Sequence, residues 1–431
     1  MRITLTYLLS FLPLAVFAGQ NSNLNVKIGG SVDVKYGIVN QQKDFGQDLK
    51  SKQKYNKGNL ANSGSVKFNI DSKNDDGLKY GAFLKLGADI EGDKELKGTA
   101  KEAKIYLEGA YGKVELGSTA PVGKSMGVNS YSLARATGGL DGDWKDWLQN
   151  GGVITGGKGT NDGFLTSPQL PIGFDDGNKA NKVNYFSPKF NGFSFGISYT
   201  PDSKAKGTND QVKGLTKNSG PGYRNVLQPT VRYEKSFDGG VKFATAVLGE
   251  FGSARDYPYW EKEEDEKKKG PVVNHIKRKD LRAWQVGASV EYNGIAFAGS
   301  YGDFGKSGTA KDDNYVTKDN KYGAKYWSLG SAYSTEKYGI SINYMQSKRA
   351  GFIFGKDKET VKASASAKSS KDWNKFEAIS IGADYQVMPG FMPYIEATRF
   401  KFKENKTKTF NGKNAKFNKG TVFLAGTKIS F

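Results

Sequence analysis

The residue types that usually carry chemistry are few and poorly grouped in this chain. Cysteine is absent, which excludes disulfide frameworks and thiol catalysis. The single histidine, His275, follows the charge run 261–269, and no paired Ser or Asp pattern around it offers the partners a hydrolase base needs. One histidine cannot build a histidine metal cluster. The stretch GVITGGKG at 152–159 approaches a phosphate-binding loop, but Gly159 replaces the required Ser or Thr. No strand-then-helix context frames it either. Asp141, Asp143 and Asp146 in LDGDWKDWL resemble calcium ligands in spacing, yet Lys145 at the fifth position and Gly152 at the twelfth break the EF-hand pattern. No enzyme, cofactor or metal site is expected.

Charge is the remaining chemical signal. The formal net charge is +20, which in a compact domain would suggest nucleic acid. Its distribution argues against that partner. Three irregular, lysine-rich segments, 39–63, 347–375 and 403–419, carry most of the excess. That is the pattern of a solvated, membrane-facing rim, so no nucleic-acid partner is expected.

The elements that would position these charges are read from alternation. Residues 1–18 form a signal peptide: Arg2, an apolar run over 3–17, and Val16 and Ala18 at the −3 and −1 sites of a cut before Gly19. Beyond it no apolar run approaches the ~18 residues a spanning helix needs, and mean hydropathy is −0.60. An exported chain of this kind can enter a membrane only as a closed barrel. Period-two apolar patterns mark sixteen strands, from Val26, Ile28, Val32, Val34, Tyr36 and Ile38 to the terminal TVFLAGTKISF of 421–431. The second strand reads as short, with Val66, Phe68 and Ile70. In the fifteenth, over 391–402, either parity could be the apolar one. Pro393, Ile395 and Ala397 are taken outward, with Tyr394 and Glu396 inside.

Connections after even strands are short, including the hairpin signal Asn293-Gly294. Those after odd strands are long: 39–63, 91–101, 118–180, 201–226, 252–281, 305–324, 347–375 and 403–419. This beat, with an even strand count, is the plan of a bacterial outer-membrane barrel. Aromatics fall into two belts, one near the short turns (Tyr80, Phe193, Tyr233, Tyr292, Tyr333, Tyr385, Phe391, Phe431) and one near the long loops (Tyr36, Tyr199, Trp284, Tyr301, Trp327). Alternation also turns Lys27, Lys35, Lys67, Lys79, Lys85 and Lys104 toward the interior.

At this point the chain resembles the general bacterial (Gram-negative) porins, the sixteen-stranded trimeric outer-membrane channels. The likeness is carried by NKVNYFSP at 181–188, by FNGFSFG at 190–196 with Ser198 and Tyr199, by GKVELG at 112–117, and by the terminal Phe431. It implies an all-β transmembrane antiparallel barrel over 19–431, a homotrimer embedded in outer-membrane lipid and lipopolysaccharide, and passive diffusion of ions and small hydrophilic solutes. It implies a signal for the barrel-assembly machinery, matched by Gly426, Ile429 and Phe431, with Leu424 where a polar residue is usual. It further implies that the loop at 118–180 folds into the lumen as the constriction.

That loop carries Arg135, Asp141, Asp143 and Asp146. Facing the wall bases Lys35, Lys67, Lys85 and Lys104, it would set a transverse field with weak anion preference. The rival readings are a substrate-selective channel of the anion or phosphate type and, further off, a barrel enzyme or adhesin.

Overall fold

The computed structural model describes residues 24–45, 53–87, 100–135, 138–148, 179–207, 222–261, 272–308, 311, 324–350, 373–410 and 413–431. The expected signal peptide, 1–18, and the glycine-rich stretch 152–159 lie outside them. Sixteen antiparallel strands form a closed barrel. They are β1 Asn25–Gln41, β2 Gly58–Lys73, β3 Lys79–Gly87, β4 Ala100–Gly109, β5 Gly112–Ser118, β6 Asn181–Phe186, β7 Phe193–Asp202 and β8 Tyr223–Ser236, followed by β9 Lys242–Ala254, β10 Leu281–Tyr292, β11 Ile295–Asp303, β12 Ala324–Ser334, β13 Tyr338–Ala350, β14 Trp373–Tyr385, β15 Phe391–Phe410 and β16 Lys413–Ser430. Each strand pairs with its sequence neighbours and β16 pairs with β1, so the sheet has no open edge.

Side-chain parity follows the alternation. On β15 Ile395 is 62% exposed while Tyr394 and Glu396 are buried, which settles the ambiguous strand with its apolar residues outward in this half. On β16 Phe423, Ile429 and Phe431 face out. Aromatic pairs mark both rims: Trp284–Tyr301 at 5.4 Å and Trp327–Tyr344 at 5.0 Å near the long loops, and Phe193–Tyr233 at 4.7 Å near the short turns. Asn293 and Gly294 both have positive φ, 47° and 80°, as the twist-matched two-residue hairpin requires.

Three expectations about connections need correction. β2 is longer than 66–70, because its first half, GNLANSGS, pairs in register with β1 from Ile38↔Gly58 to Ser31↔Ser65 although it carries almost no apolar alternation. The stretch 403–419 is mostly strand: β15 runs on to Phe410 and β16 begins at Lys413, with a register shift between Lys403 and Lys408. The segment 252–281 holds a separate two-stranded antiparallel sheet, Tyr257–Glu261 paired with Val272–Ile276, whose second strand includes His275. Alternation marks strands with one wet and one dry face, and these extensions lack that contrast.

The barrel closes at its last residue. Gly30 and Phe431 exchange backbone hydrogen bonds of 2.8 and 3.1 Å. A side chain at Gly30 would collide with the Phe431 ring and the Ser65 carbonyl. Deleting Phe431 removes both bonds, each worth about 1 kcal/mol net, together with an aromatic of the turn-side belt. The expected result is a lower yield of heat-modifiable barrel on gels, with unchanged conductance in the barrels that do assemble. A normal yield would contradict this assignment of Phe431.

Candidate functional site: the lumen wall and its internal loop

After β5 the chain turns inward and follows the inner wall. A short helix, α1 (Val122–Met126), is held by two wall side chains: Val122 N–H donates to Ser198 Oγ at 2.7 Å and Gly123 N–H to Gln228 Oε1 at 2.8 Å. Arg232 then donates to the Met126 carbonyl at 3.0 Å. Further along, Arg135 binds Asp384 (Nε–Oδ1 2.9 Å) and the Thr335 carbonyl (3.0 Å), and Gly139 N–H donates to Glu396 at 3.2 Å. The loop thus touches β7, β8, β14 and β15 in turn. Glycines on the wall make room for it. A Cβ at Gly287 would overlap the Val128 carbonyl, and one at Gly37 would overlap the Trp147 ring.

The tightest contact is apolar. Trp144 is fully buried and stacks with Phe376 (6.2 Å, 3°) and Phe400 (5.6 Å, 22°), its indole N–H donating to the Leu140 carbonyl at 3.1 Å. Leu140, Leu148, Phe402, Val422 and Leu424 complete this cluster inside the barrel. β14–β16 therefore change character along their length: near the turns their inner positions are polar, and toward the long loops they are apolar. This accounts for the two-way parity of β15. It also accounts for Leu424, which packs under the loop at the position where a polar residue is usual.

The charged positions divide into two groups. In the first, loop and wall neutralise each other directly. Lys35, buried, pairs with Asp33 at 3.0 Å and with Asp143 of the loop. Asp141 pairs with Lys145 at 2.8 Å and Lys124 at 3.6 Å. Lys104 lies between Glu115 (3.1 Å) and Glu102 (3.6 Å), two wall acids that the reading of basic positions passed over. Glu102 also accepts from Thr119 at 2.7 Å and pairs with Lys179, so one carboxylate ties together both ends of the 118–180 connection. Instead of acids and bases separated across an opening, much of the set forms contact pairs that fix the loop. Asp146 is different: its side chain reaches the surface of the loop, yet the surrounding protein partly desolvates it and, with the charge of Asp143, holds its carboxyl above the usual carboxylate range, with Lys145 and Lys35 pulling the other way.

The second group is Lys67 and Lys85. They are direct cross-strand partners on β2 and β3, both half-buried on the inner face, and neither has an ion-pair partner among the described residues. Glu102 and Glu115 were legible in principle as inward acids at the parity of the lysines. The inner apolar patch was legible as a second, out-of-phase alternation in 376–378 and 400–402.

A closed sixteen-stranded barrel with an apolar exterior and an ion-lined interior is a membrane channel. The sequence profile of the Gram-negative porins matches residues 6–405. The chain belongs to the Gram-negative porin family, and the protein is an outer-membrane channel. It is 28% identical over 362 residues to an uncharacterized protein of Rickettsia felis, covering 76% of this chain and 75% of that one. A Rickettsia typhi counterpart is 27% identical over the same shares. Among solved structures it is similar to an anion-selective porin from Comamonas acidovorans, with TM-score 0.54, 15% identity, and 95% and 100% of the two chains covered. It is also similar to the trimer form of in-vitro folded OmpT, an outer membrane protein of Vibrio cholerae, with TM-score 0.53, 10% identity, and coverage of 95% and 99%. At these identities the likeness is one of fold.

Two outcomes follow from the loop contacts. Trp144→Ala removes a buried indole, a truncation that costs about 3–5 kcal/mol in a packed core. The loss falls on loop docking, so single-channel steps should become larger and noisier while gel mobility of the folded barrel stays normal. Second, because the Asp146 carboxyl titrates above the usual aspartate range, it takes up its proton earlier than an ordinary aspartate as pH falls from neutral. The loop then loses negative charge, and salt-gradient reversal potentials should move toward anions over a pH range where Asp146→Asn no longer responds.

Proposed function

We propose that the protein is a homotrimeric pore that passes ions and small hydrophilic solutes by diffusion, with a weak preference for anions. The observation that carries the preference is the Lys67–Lys85 pair, two inward ammonium groups directly opposite each other on adjacent strands. The loop acids Asp141 and Asp143 are engaged by lysines, which leaves the β2–β3 wall to set the sign of the local potential. In a low-dielectric, charge-lined opening such a potential favours counter-ions. A lumen of this strand number is too wide for wall side chains to fill, so solutes pass where the internal loop leaves room.

In this reading residues 118–180 form the constriction, bounded by Lys35, Lys67, Lys85, Lys104, Arg135, Asp141, Asp143 and Asp146. Gly426, Ile429 and Phe431 carry the assembly signal, and residues 1–18 direct export. The description of the Comamonas acidovorans porin as anion-selective and the trimer form of OmpT support the reading at the level of a shared fold.

Planar-bilayer recordings in a potassium chloride gradient test it. The wild-type reversal potential should indicate a modest excess of anion current, and closures in thirds should report three pores. Lys67→Glu combined with Lys85→Glu should bring the reversal potential to the cation side. Cation selectivity in the wild type would overturn the proposal, and conductance that saturates with one solute would favour the substrate-selective alternative.

A further inference from the structure

Three aromatic side chains of the inner face stand outside the cluster packed under the loop. Phe376, Phe400 and Phe402 are buried in that cluster, whereas Phe83, Tyr106 and Phe186 are only half-buried. The register places these three on one diagonal of the wall. Phe83 lies across from Lys104, Tyr106 across from Gly81 and Glu115, and Phe186 across from Lys113, each ring one step nearer the short turns. Tyr106 is the best defined. A Cβ at Gly81 would stand 2.8 Å from its hydroxyl and 2.9 Å from its Cε1, so the ring runs along the wall across β3 instead of projecting into the lumen. The Lys113 ammonium stands 5.0 Å over the same ring, which turns a face of it off the wall. On β2 the residue across from Gly81 is Asp71, and the one across from Phe83 is Asn69. Neither has a hydrogen-bond or ion-pair partner among the described residues. A ring over a strand glycine supports the sheet, but that role involves neither Asn69 nor Asp71.

The charges beside the rings decide the class of solute. Lys104 stands 5.6 Å over Phe83, and Lys113 lies 6.0 Å over Phe186 as well as over Tyr106, so both oppose a cation there. Asp71 and Glu115 oppose an anion. Glu115 also holds the two lysines, at 3.1 and 2.6 Å, and these contacts are closer than those to the rings. A neutral solute remains. A sugar pyranose has an apolar C–H face, whose slightly positive hydrogens meet the negative face of an aromatic ring. Its hydroxyls both donate and accept, which suits an amide and a carboxylate on one strand face.

We infer that Tyr106, flanked by Phe83 and Phe186, forms with Asn69 and Asp71 a subsite for neutral pyranose sugars on the lumen wall. The inference rests on the reading of the protein as a diffusion pore and adds a stop along that path.

The test is block of chloride current through single channels by maltotriose, a neutral run of three pyranose rings. A polyethylene glycol of similar mass, which has oxygens but no ring face, is titrated beside it. Wild-type current should fall to a plateau in maltotriose, with excess noise from binding and release, and should decline without a plateau in the glycol. Tyr106→Ala should raise the half-blocking concentration roughly tenfold, the scale of losing a stacked aromatic. Tyr106→Phe, which keeps the ring, should retain most of the block. Asn69→Ala combined with Asp71→Ala should raise the half-blocking concentration by a smaller factor, and Phe297→Ala, on the lipid face, should leave it unchanged. Normal gel mobility of each barrel separates these effects from misfolding, and where Tyr106→Ala does not assemble the Asn69 and Asp71 double variant decides.

Current loss without a plateau in maltotriose, equal saturable block by the glycol, or wild-type block in Tyr106→Ala or in the double variant would overturn the subsite. Conductance steps recorded before any sugar is added separate that failure from failure of the pore reading. Steps without saturable block remove only the subsite, whereas a protein that gives no steps removes both.

Discussion

In hydrocarbon a peptide group has no water to fall back on, and each one left unpaired costs several kcal/mol. That constraint governs the rest of this molecule. It demands that β16 return to β1, and the demand is met up to the final residue, where Phe431 and Gly30 complete the ladder. Closure then fixes parity: once the outer face of each strand must meet lipid, every second side chain is committed to the interior. The inward lysines, acids and small residues are a consequence of a wall whose other face is already assigned.

Within that wall, the exceptions to a polar interior coincide with the loop. Phe376, Phe400, Phe402, Val422 and Leu424 would be misplaced in a water-filled lumen, and they are covered by Trp144, Leu140 and Leu148. Apolar burial supplies the larger part of the docking energy. The ion pairs Lys35–Asp143 and Arg135–Asp384 add direction. An ion pair removed from water gains little net stability, yet losing one partner is costly, so such contacts fix one arrangement more than they strengthen it. By using its acids in this way the loop neutralises Lys35 on β1.

The barrel was legible in the sequence because alternation reports a strand with lipid on one side and water on the other. Strand number, the short-turn and long-loop beat, and the outward face of β16 all follow from that contrast. Where the contrast vanishes, so does the signal. The first half of β2 and the extensions of β15 and β16 pair through their backbones without an apolar face to announce them. On β15 the two parities competed because both are apolar, Ile395 toward lipid and Phe400 and Phe402 toward the loop. The site was less legible. Its lysines could be placed on the inner face, but their partners could not, since Asp143 reaches Lys35 only through the path of the loop. Glu102 acquires its role because the two ends of a long connection meet at one carboxylate.

Most of this chain obeys local rules: alternation, twist-matched turns, aromatic rims. The departures are confined to the interior, and each has a physical counterpart. Glycines within strands, such as Gly37 and Gly287, weaken a ladder but stand where the loop presses on the wall. Apolar residues facing the lumen stand under Trp144. The opposed lysines of β2 and β3 share the inner wall with one acid, Glu102, which lies across from Lys85 on β4. A sequence that is locally consistent elsewhere and violates a rule at one place commonly does so for function. The first two departures are explained by the loop that packs against the inner wall. The third sets two ammonium groups side by side on the inner wall, where they raise the local positive potential.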